Sequence, residues 1–250
     1  MHCPSKLTYV IGQGDNLYRL AKHFGTTVPR ILALNPGLDP HNLQIGSEIT
    51  ICSRKRPQAQ DRPQSPPACP DSAKQMDLIS HMRLVWSQHV YWTRMLLISI
   101  AERLKDLDAV TARLMQNPGD IAKIFEDYYG PDTAKAIEQL LTEHLQIGAE
   151  LITALRDGKA GQAEELNERW YLNADKMAGA FSGISPYYRE EEMREMLYRH
   201  LDLTKQEVAK RLSGDYPADI KAFDLVEREA IMMADAFSSG MIRQFPQMFS

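Results

Sequence analysis

A proline-rich stretch from Ser53 to Gln75 divides the chain into two parts. Its prolines, at positions 57, 63, 66, 67 and 70, are separated mainly by arginine, lysine, glutamine, aspartate and serine. Proline lacks a backbone N–H donor and interrupts both helices and strands, so this composition predicts an extended, solvated linker. The basic triplet at residues 54–56 is typical of such a linker, and the alternative is a contact with an acidic polymer. Two folding units are therefore expected, at residues 1–52 and 76–250, joined by residues 53–75.

The part before the linker carries secondary-structure signals in the order strand, helix, helix, strand. Residues 7–11 are rich in β-branched and aromatic side chains, and residues 48–51 alternate between polar and apolar, as strands do. Between them, residues 17–24 and 28–34 each place apolar side chains on one helical face. Turn and cap residues separate these segments: Gly14, Asp15 and Asn16, then Gly25, then Asn35, Pro36 and Gly37.

This order of signals resembles a LysM (lysin motif) domain. The resemblance rests on the stretches YVIGQGDNL, LAKHFG, ILALNPGL and LQIGSEITI between Tyr9 and Ile51, about a fifth of the chain. It implies a βααβ fold that binds N-acetylglucosamine-containing glycans such as peptidoglycan or chitin. The ligand groove of the family lies between the loop after the first strand and the loop before the last strand. On this sequence that groove would be lined by Gly14, Asp15, Asn16, Leu17, Asn35, Pro36, Leu43, Gln44 and Ile45.

The chemistry of these residues suits a sugar, because backbone amides and short polar side chains can pair with acetamido and hydroxyl groups. The alternative for the glycines and Asn35 is plain turn chemistry.

The three cysteines allow two interpretations. If the two LysM strands pair antiparallel, as the resemblance implies, Cys3 and Cys52 lie close enough for a disulfide and Cys69 is left over. In a reducing cytosol all three would remain thiols, and this is the default expectation.

The compartment is predicted from two negative features. Residues 1–6 have no apolar signal-peptide core, and the longest strongly apolar run, residues 95–101, is too short to span a bilayer. We therefore expect cytoplasmic synthesis and no membrane span, with a spore or cell-wall location suggested by analogy with LysM proteins of spores that lack signal peptides.

Charge argues against nucleic acid as a partner. Residues 1–52 carry a net charge of +1 and residues 53–75 carry +3, so the remainder must carry −8 for the chain to total −4. An acidic second unit is a poor match for a phosphate backbone.

The part after the linker is predicted to be entirely helical. Proline, glycine and cap residues delimit six segments: residues 76–104, 117–128, 131–158, 162–182, 185–214 and 217–245. The whole chain is thus expected to be an α+β multidomain protein, with a small βααβ module, a proline-rich linker and an all-α bundle.

An internal repeat with a constant offset organises the helical part. It relates these residues without a gap: His144 and His200, Leu145 and Leu201, Ile152 and Val208, Gly158 and Gly214, Ala174 and Ala230, Met177 and Met233, Phe181 and Phe237. A third, weaker copy begins at His89. Each copy is predicted to be a helical hairpin, which gives a bundle of five or six helices.

The repeat places polar residues where a core is expected. His89, His144 and His200 fall on apolar stripes, and Asn173 and Glu229 lie at the height of His144 and His200 across each hairpin. One interpretation is a hydrogen-bonded network that fixes helix register. The other is a metal centre in which His89, His144, His200 and Glu229 bind zinc, iron or manganese. Arg199 and Arg228 are predicted to point away, and Asn117 is interpreted as a helix cap.

The helical part also resembles an uncharacterised helical family of spore-forming bacteria that is sometimes labelled acetylglutamate kinase. The resemblance rests on WSQHVYWTR, TEHL and IRQFP, at residues 86–94, 142–145 and 242–246. The kinase label does not fit, because an amino-acid kinase needs strands that lead into glycine-rich phosphate loops.

Two function classes follow from the sequence. A binding or structural protein is favoured, because no nucleophile–base pair or phosphate loop is visible. The alternative is a metal-dependent enzyme that the LysM module delivers to the cell wall.

Overall fold

The computed structural model describes residues 5–12, 15–40, 43–44, 46–53 and 73–249. The chain separates into two compact units, at residues 1–71 and 72–250. Each unit has a hydrophobic core of its own.

The N-terminal unit is a two-stranded antiparallel sheet with two short helices. Strand β1 (Ser5–Val10) pairs with β2 (Glu48–Ser53) in the register that places Leu7 opposite Ile51. Helices α1 (Leu17–His23) and α2 (Val28–Leu34) lie between the strands in the chain. A buried core joins the four elements through Ile11, Leu17, Leu20, Ala21, Phe24, Ile31, Ile49 and Ile51. The predicted βααβ order is thus observed.

The end of α1 shows why a glycine follows it. Gly25 has φ +63°, in the left-handed region that other residues avoid. Its N–H donates to Lys22 O at 3.3 Å, and the next N–H, of Thr26, donates to Ala21 O at 2.8 Å. These two bonds satisfy carbonyls that the helix end would otherwise leave unpaired.

Cys52 is buried and disulfide-bonded. The default expectation of three thiols is therefore wrong for this residue. Cys3 and Cys69 lie outside the described residues, and so do residues 54–72 of the predicted linker. The ends of that linker are part of regular elements, since Ser53 lies in the last strand and residues 73–75 lie in the first helix of the C-terminal unit.

In the described part of the C-terminal unit, all regular secondary structure is helical. The helices are α3 (Ala73–Ala101), α4 (Leu107–Leu114), α5 (Asn117–Tyr129), α6 (Pro131–Arg156), α7 (Ala160–Ile184), α8 (Glu190–Leu212) and α9 (Tyr216–Gln244), followed by the short 3-10 helix Pro246–Met248. Helices α6 and α7 form one hairpin, α8 and α9 form another, and α3 packs along α9 and α6. The short helix α4 was not predicted.

The two hairpin turns have the same geometry. Gly158 and Gly214 have φ +68° and +76°, and each donates its N–H to the carbonyl three residues earlier. The N–H of the following residue, Lys159 or Asp215, donates to the carbonyl five residues earlier at 3.0 Å in both turns. Because the turns match, residues at equal distances from them meet at the same height in their hairpins.

The start of α8 differs from the prediction. The Ser185-Pro186 pair was expected to cap and begin this helix, but α8 begins at Glu190. Tyr188 instead turns into the core, where its hydroxyl donates to Phe237 O at 2.7 Å. Gly240 makes room for this ring, since a Cβ there would lie 2.0 Å from Tyr188 Cε1. The burial of Tyr188 therefore makes α8 begin later in the chain than predicted.

Candidate functional site

The two loops predicted to form the glycan groove lie side by side. Beyond the paired strands, Ile11 N–H donates to Ser47 O at 2.8 Å, and Gly46 N–H donates to Ile11 O at 2.8 Å. These bonds hold the loop after β1 against the loop before β2. Gly14 and Ile45, which were predicted to line the groove, lie outside the described residues.

On the first loop, the predicted groove residues mainly stabilise the local fold through hydrogen bonds and burial. The Asp15 carboxylate accepts from Gly12 N–H at 2.7 Å and from the Tyr9 hydroxyl at 2.8 Å. Asn16 caps α1 by accepting from Arg19 N–H at 2.8 Å, and its side chain is exposed. Leu17 is buried in the core. Of these three, Asn16 is the side chain that faces solvent.

On the other side, Asn35 fastens α2 to β2. Its amide donates to Ile31 O at 2.7 Å and to Thr50 O at 2.8 Å, and it accepts from Thr50 N–H at 2.7 Å. These contacts are consistent with the alternative interpretation of Asn35 as a residue that shapes the backbone, and its role in the groove stays a prediction. Leu43 is half-buried against the core, whereas Pro36 and Gln44 are exposed.

The second candidate site is a group of three buried histidines in the C-terminal unit. His89 on α3, His144 on α6 and His200 on α8 are each less than 5% exposed. The ring centroid of His200 lies 5.8 Å from that of His89 and 6.4 Å from that of His144. We call these three residues the histidine cluster. The structure thus brings together the three imidazoles that the sequence places on separate helices.

Two members of the histidine cluster are bonded to asparagines. His89 Nδ1 lies 3.0 Å from Asn117 Oδ1, and His144 Nδ1 lies 2.9 Å from Asn173 Oδ1. The Asn117 amide nitrogen donates to Val85 O at 2.8 Å, and that of Asn173 donates to Leu140 O at 3.1 Å.

These backbone contacts fix each amide with its oxygen toward the imidazole. The imidazole Nδ1 is therefore the donor, and the lone pair resides on Nε2. Asn117 is fully buried and lies in the helix after Gln116, so its interpretation as a cap is wrong.

The third member has a different partner across its hairpin. Glu229 follows Gly214 at the same distance along the chain as Asn173 follows Gly158. The buried Glu229 carboxylate is 2.8 Å from Arg199 Nε. The prediction that Arg199 points away from Glu229 is therefore wrong, because this long side chain reaches across to α9. Among the described residues, His200 Nδ1 is buried without a hydrogen-bond partner.

Burial sets the charge of these groups. It lowers the pKa of both His89 and His144 to about 4, and it lowers the pKa of His200 well below its usual value. Neighbouring imidazoles lower the pKa of His144 and His200 further. Burial also raises the pKa of Glu229, while Arg199 opposes that rise. The histidine cluster is therefore neutral at pH 7.

The predicted metal centre finds little support in this geometry. Among the described residues, no three His, Cys, Asp or Glu side chains are placed to hold one metal ion. Glu229 already faces the Arg199 guanidinium. The metal centre of His89, His144, His200 and Glu229 therefore stays a prediction.

A buried group of ion pairs was missed by the sequence reasoning. Arg94 on α3 contacts Glu207 on α8 at 2.5 Å and Asp219 on α9 at 2.8 Å. Arg211 contacts Asp219 at 3.5 Å and Glu102 at 3.0 Å. Burial raises the pKa of Glu207 to about 7, although Arg94 opposes this. The available signal was the position of Glu207 two helical turns after His200, which places it on the same helical stripe.

Comparison with known protein families identifies one part of the chain. Residues 9–51 match the family model of the LysM domain. LysM domains generally bind N-acetylglucosamine-containing glycans such as peptidoglycan, and the match implies an association with the cell wall. No curated protein and no solved structure matches the chain. The resemblance of the helical part to a family of spore-forming bacteria is therefore unsupported. Within the described helices, none combines the length and apolar character needed to cross a membrane.

Proposed function

We propose that this protein binds N-acetylglucosamine polymers through residues 1–52 and thereby anchors its helical unit to peptidoglycan or a similar glycan. The LysM match carries the proposal. The pairing of Ile11 with Gly46 and Ser47 supports it, because it sets the two loops at the edge of the sheet beside each other.

The contacts with the glycan would come from the exposed parts of these loops. Asn16, Pro36 and Gln44 present exposed side chains, while Asp15 and Asn35 hold the loops in shape. Exposed amide side chains and loop backbone groups can pair with the acetamido group and hydroxyls of the sugar. Gly14 and Ile45 belong to the proposed groove on sequence grounds alone.

A binding assay on the full chain tests this function. Retention on insoluble peptidoglycan and chitin is measured for the unmutated chain, for Gln44→Ala and for Lys22→Ala. Gln44→Ala should weaken retention by roughly 2–10-fold, the effect of one lost hydrogen bond. Lys22 is exposed near the far end of α1, so its substitution serves as the matched control. No retention of the unmutated chain on either glycan would refute the proposal.

For the helical unit, residues 76–250, we propose a structural or ligand-binding role without catalysis. Three features support this: the histidine cluster, its two asparagine partners and the buried ion pairs all connect helices inside the bundle. We interpret the matched turns at Gly158 and Gly214 as two copies of a repeated hairpin. The LysM match supports the cell wall or the spore cortex as the compartment, and the acidic charge of the helical unit argues against a nucleic-acid partner.

The alternative is a metal-dependent enzyme delivered to the wall. The convergence of three neutral imidazoles is the observation that favours it. Elemental analysis of the purified full chain, with His200→Ala as the comparison, distinguishes the two. One equivalent of zinc, iron or manganese that His200→Ala loses would support the enzyme, whereas substoichiometric metal in both would leave the hydrogen-bonded network.

A further inference from the structure

Three buried polar atoms around the histidine cluster have incomplete hydrogen bonding among the described residues. Nδ1 of His200 and Nε1 of Trp86 have no partner there, and Oε2 of Glu229 has only its ion-pair contact with Arg199. The Trp86 ring lies 5.6 Å from that of His89, and the His89 ring lies 5.8 Å from that of His200. A buried polar atom without a partner is costly, so unsatisfied atoms concentrated in one region of a core indicate a ligand that completes their bonds.

The other two histidines provide an internal comparison. In each, an asparagine oxygen accepts the Nδ1 proton directly, at 3.0 Å and 2.9 Å. At the equivalent height of the α8–α9 hairpin the residue is Glu229, whose carboxylate faces Arg199 instead. His200 therefore lacks the partner that its two neighbours have. The difference lies in one side chain and not in the turn, because the two hairpin turns have the same geometry.

We propose that the interior of the C-terminal unit holds a site beside His200 for a water-sized, uncharged molecule that both donates and accepts hydrogen bonds. Water is the ligand of this class that is always present, and internal waters typically make about three hydrogen bonds. The site lies among α3, α8 and α9, which contribute Trp86, His200 and Glu229. It is independent of the proposed glycan function, which resides in the other unit.

The hydrogen-bonding roles of the surrounding atoms select this class of ligand. The Nε2 atoms of His89 and His144 carry lone pairs, because the Nδ1–H group of each ring donates its hydrogen bond to an asparagine oxygen. A ligand that donates hydrogen bonds suits these lone pairs and the Glu229 carboxylate. The Trp86 N–H can only donate, so it needs a ligand that accepts. A metal cation satisfies the lone pairs but not the indole N–H, whereas water satisfies both.

The first test is a high-resolution crystal structure of the full chain, together with nitrogen-15 NMR of its histidine rings. We expect a density peak within about 3.2 Å of His200 Nδ1 and no anomalous scattering from a metal. The ring nitrogens of His89 and His144 should show the tautomer that is protonated at Nδ1. Absence of density beside His200, or a metal peak there, would overturn the proposal.

The second test copies the asparagine arrangement into the α8–α9 hairpin. Glu229→Asn should let the amide accept from His200 directly, remove the density peak and raise Tm by roughly 2–6 °C. Asn173→Glu is the matched reverse change, and it should lower Tm and leave His144 without its direct partner. If Glu229→Asn leaves the density peak in place, the proposed site does not depend on the unpaired His200 and the inference fails.

Discussion

Removal of the Asn117 side chain should destabilise the C-terminal unit markedly. This amide is fully buried and bonds both His89 Nδ1, at 3.0 Å, and Val85 O, at 2.8 Å. Asn117→Ala leaves the imidazole N–H buried without an acceptor and opens a small cavity. The expected loss in the free energy of unfolding is about 2–4 kcal/mol, and for a unit of this size Tm should fall by roughly 5–12 °C.

Urea denaturation followed by tryptophan fluorescence measures this effect. The three tryptophans, Trp86, Trp92 and Trp170, all lie in the C-terminal unit, so the signal reports on that unit alone. Asn167→Ala is a suitable control, because Asn167 is a half-buried asparagine on α7 and its loss should change stability by less than about 0.5 kcal/mol.

A double-mutant cycle separates the hydrogen bond from other effects of the substitution. His89→Ala and Asn117→Ala each break the same bond, so the double variant should lose less than the sum of the two single losses. We expect a coupling energy of about 1–2 kcal/mol, typical of residues in one buried network. A coupling energy below about 0.3 kcal/mol would refute the view that the histidine–asparagine pairs stabilise the bundle.

Three further predictions concern other parts of the chain. Gly240→Ala should cost about 3 kcal/mol, because its Cβ would lie 2.0 Å from Tyr188, whereas Gly179→Ala on α7, with open space around it, should stabilise by about 0.5–1 kcal/mol in the same urea assay. Asn35→Ala should speed amide hydrogen exchange in β2, because it removes the amide that bonds that strand; unchanged exchange would contradict this. Lowering the pH from 6.5 to 4 should lower Tm of the C-terminal unit. In the unfolded chain His89, His144 and His200 bind protons over this range, whereas in the folded unit burial lowers their pKa, to about 4 for His89 and His144, and keeps them neutral. Glu207, with a pKa of about 7, opposes this loss by holding its proton in the folded state, so Glu207→Gln should steepen the fall of Tm.

Helix ends were predictable where the signal is local. Pro131 begins α6, and Gly158 and Gly214 follow the ends of α6 and α8, because proline and left-handed glycine act on their own backbone. The Ser185-Pro186 pair misled for the same reason. Its local chemistry favours a helix start, but burial of Tyr188 needs an irregular segment there, and that contact involves a residue 49 positions away.

The convergence of the histidine cluster was also predictable, since it follows from helical periodicity and from distances to the turns. The partners of these residues were not. An asparagine before a proline is typical of a helix cap, which is why the sequence pattern favours that role for Asn117. Its bond to His89 depends on how α3 and α5 pack. Arg199 is on another face of α8 than His200, yet its flexible chain reaches Glu229. Rotations of whole helices and the reach of long side chains are tertiary properties that a sequence pattern does not encode.

The placement of polar residues bears on the role of the C-terminal unit. Two surface clefts of the bundle, with volumes of about 230 and 280 Å³, are lined by side chains of α3 to α6 and of the C-terminal end, and neither includes a member of the histidine cluster. A catalytic group must reach its substrate, whereas a group that fixes helix register or holds an internal ligand needs only its neighbours. The buried contacts of the histidine cluster meet the second requirement. The ion pairs from Arg94 to Glu207 and Asp219 join α3 to the α8–α9 hairpin and add to the polar contacts between these helices.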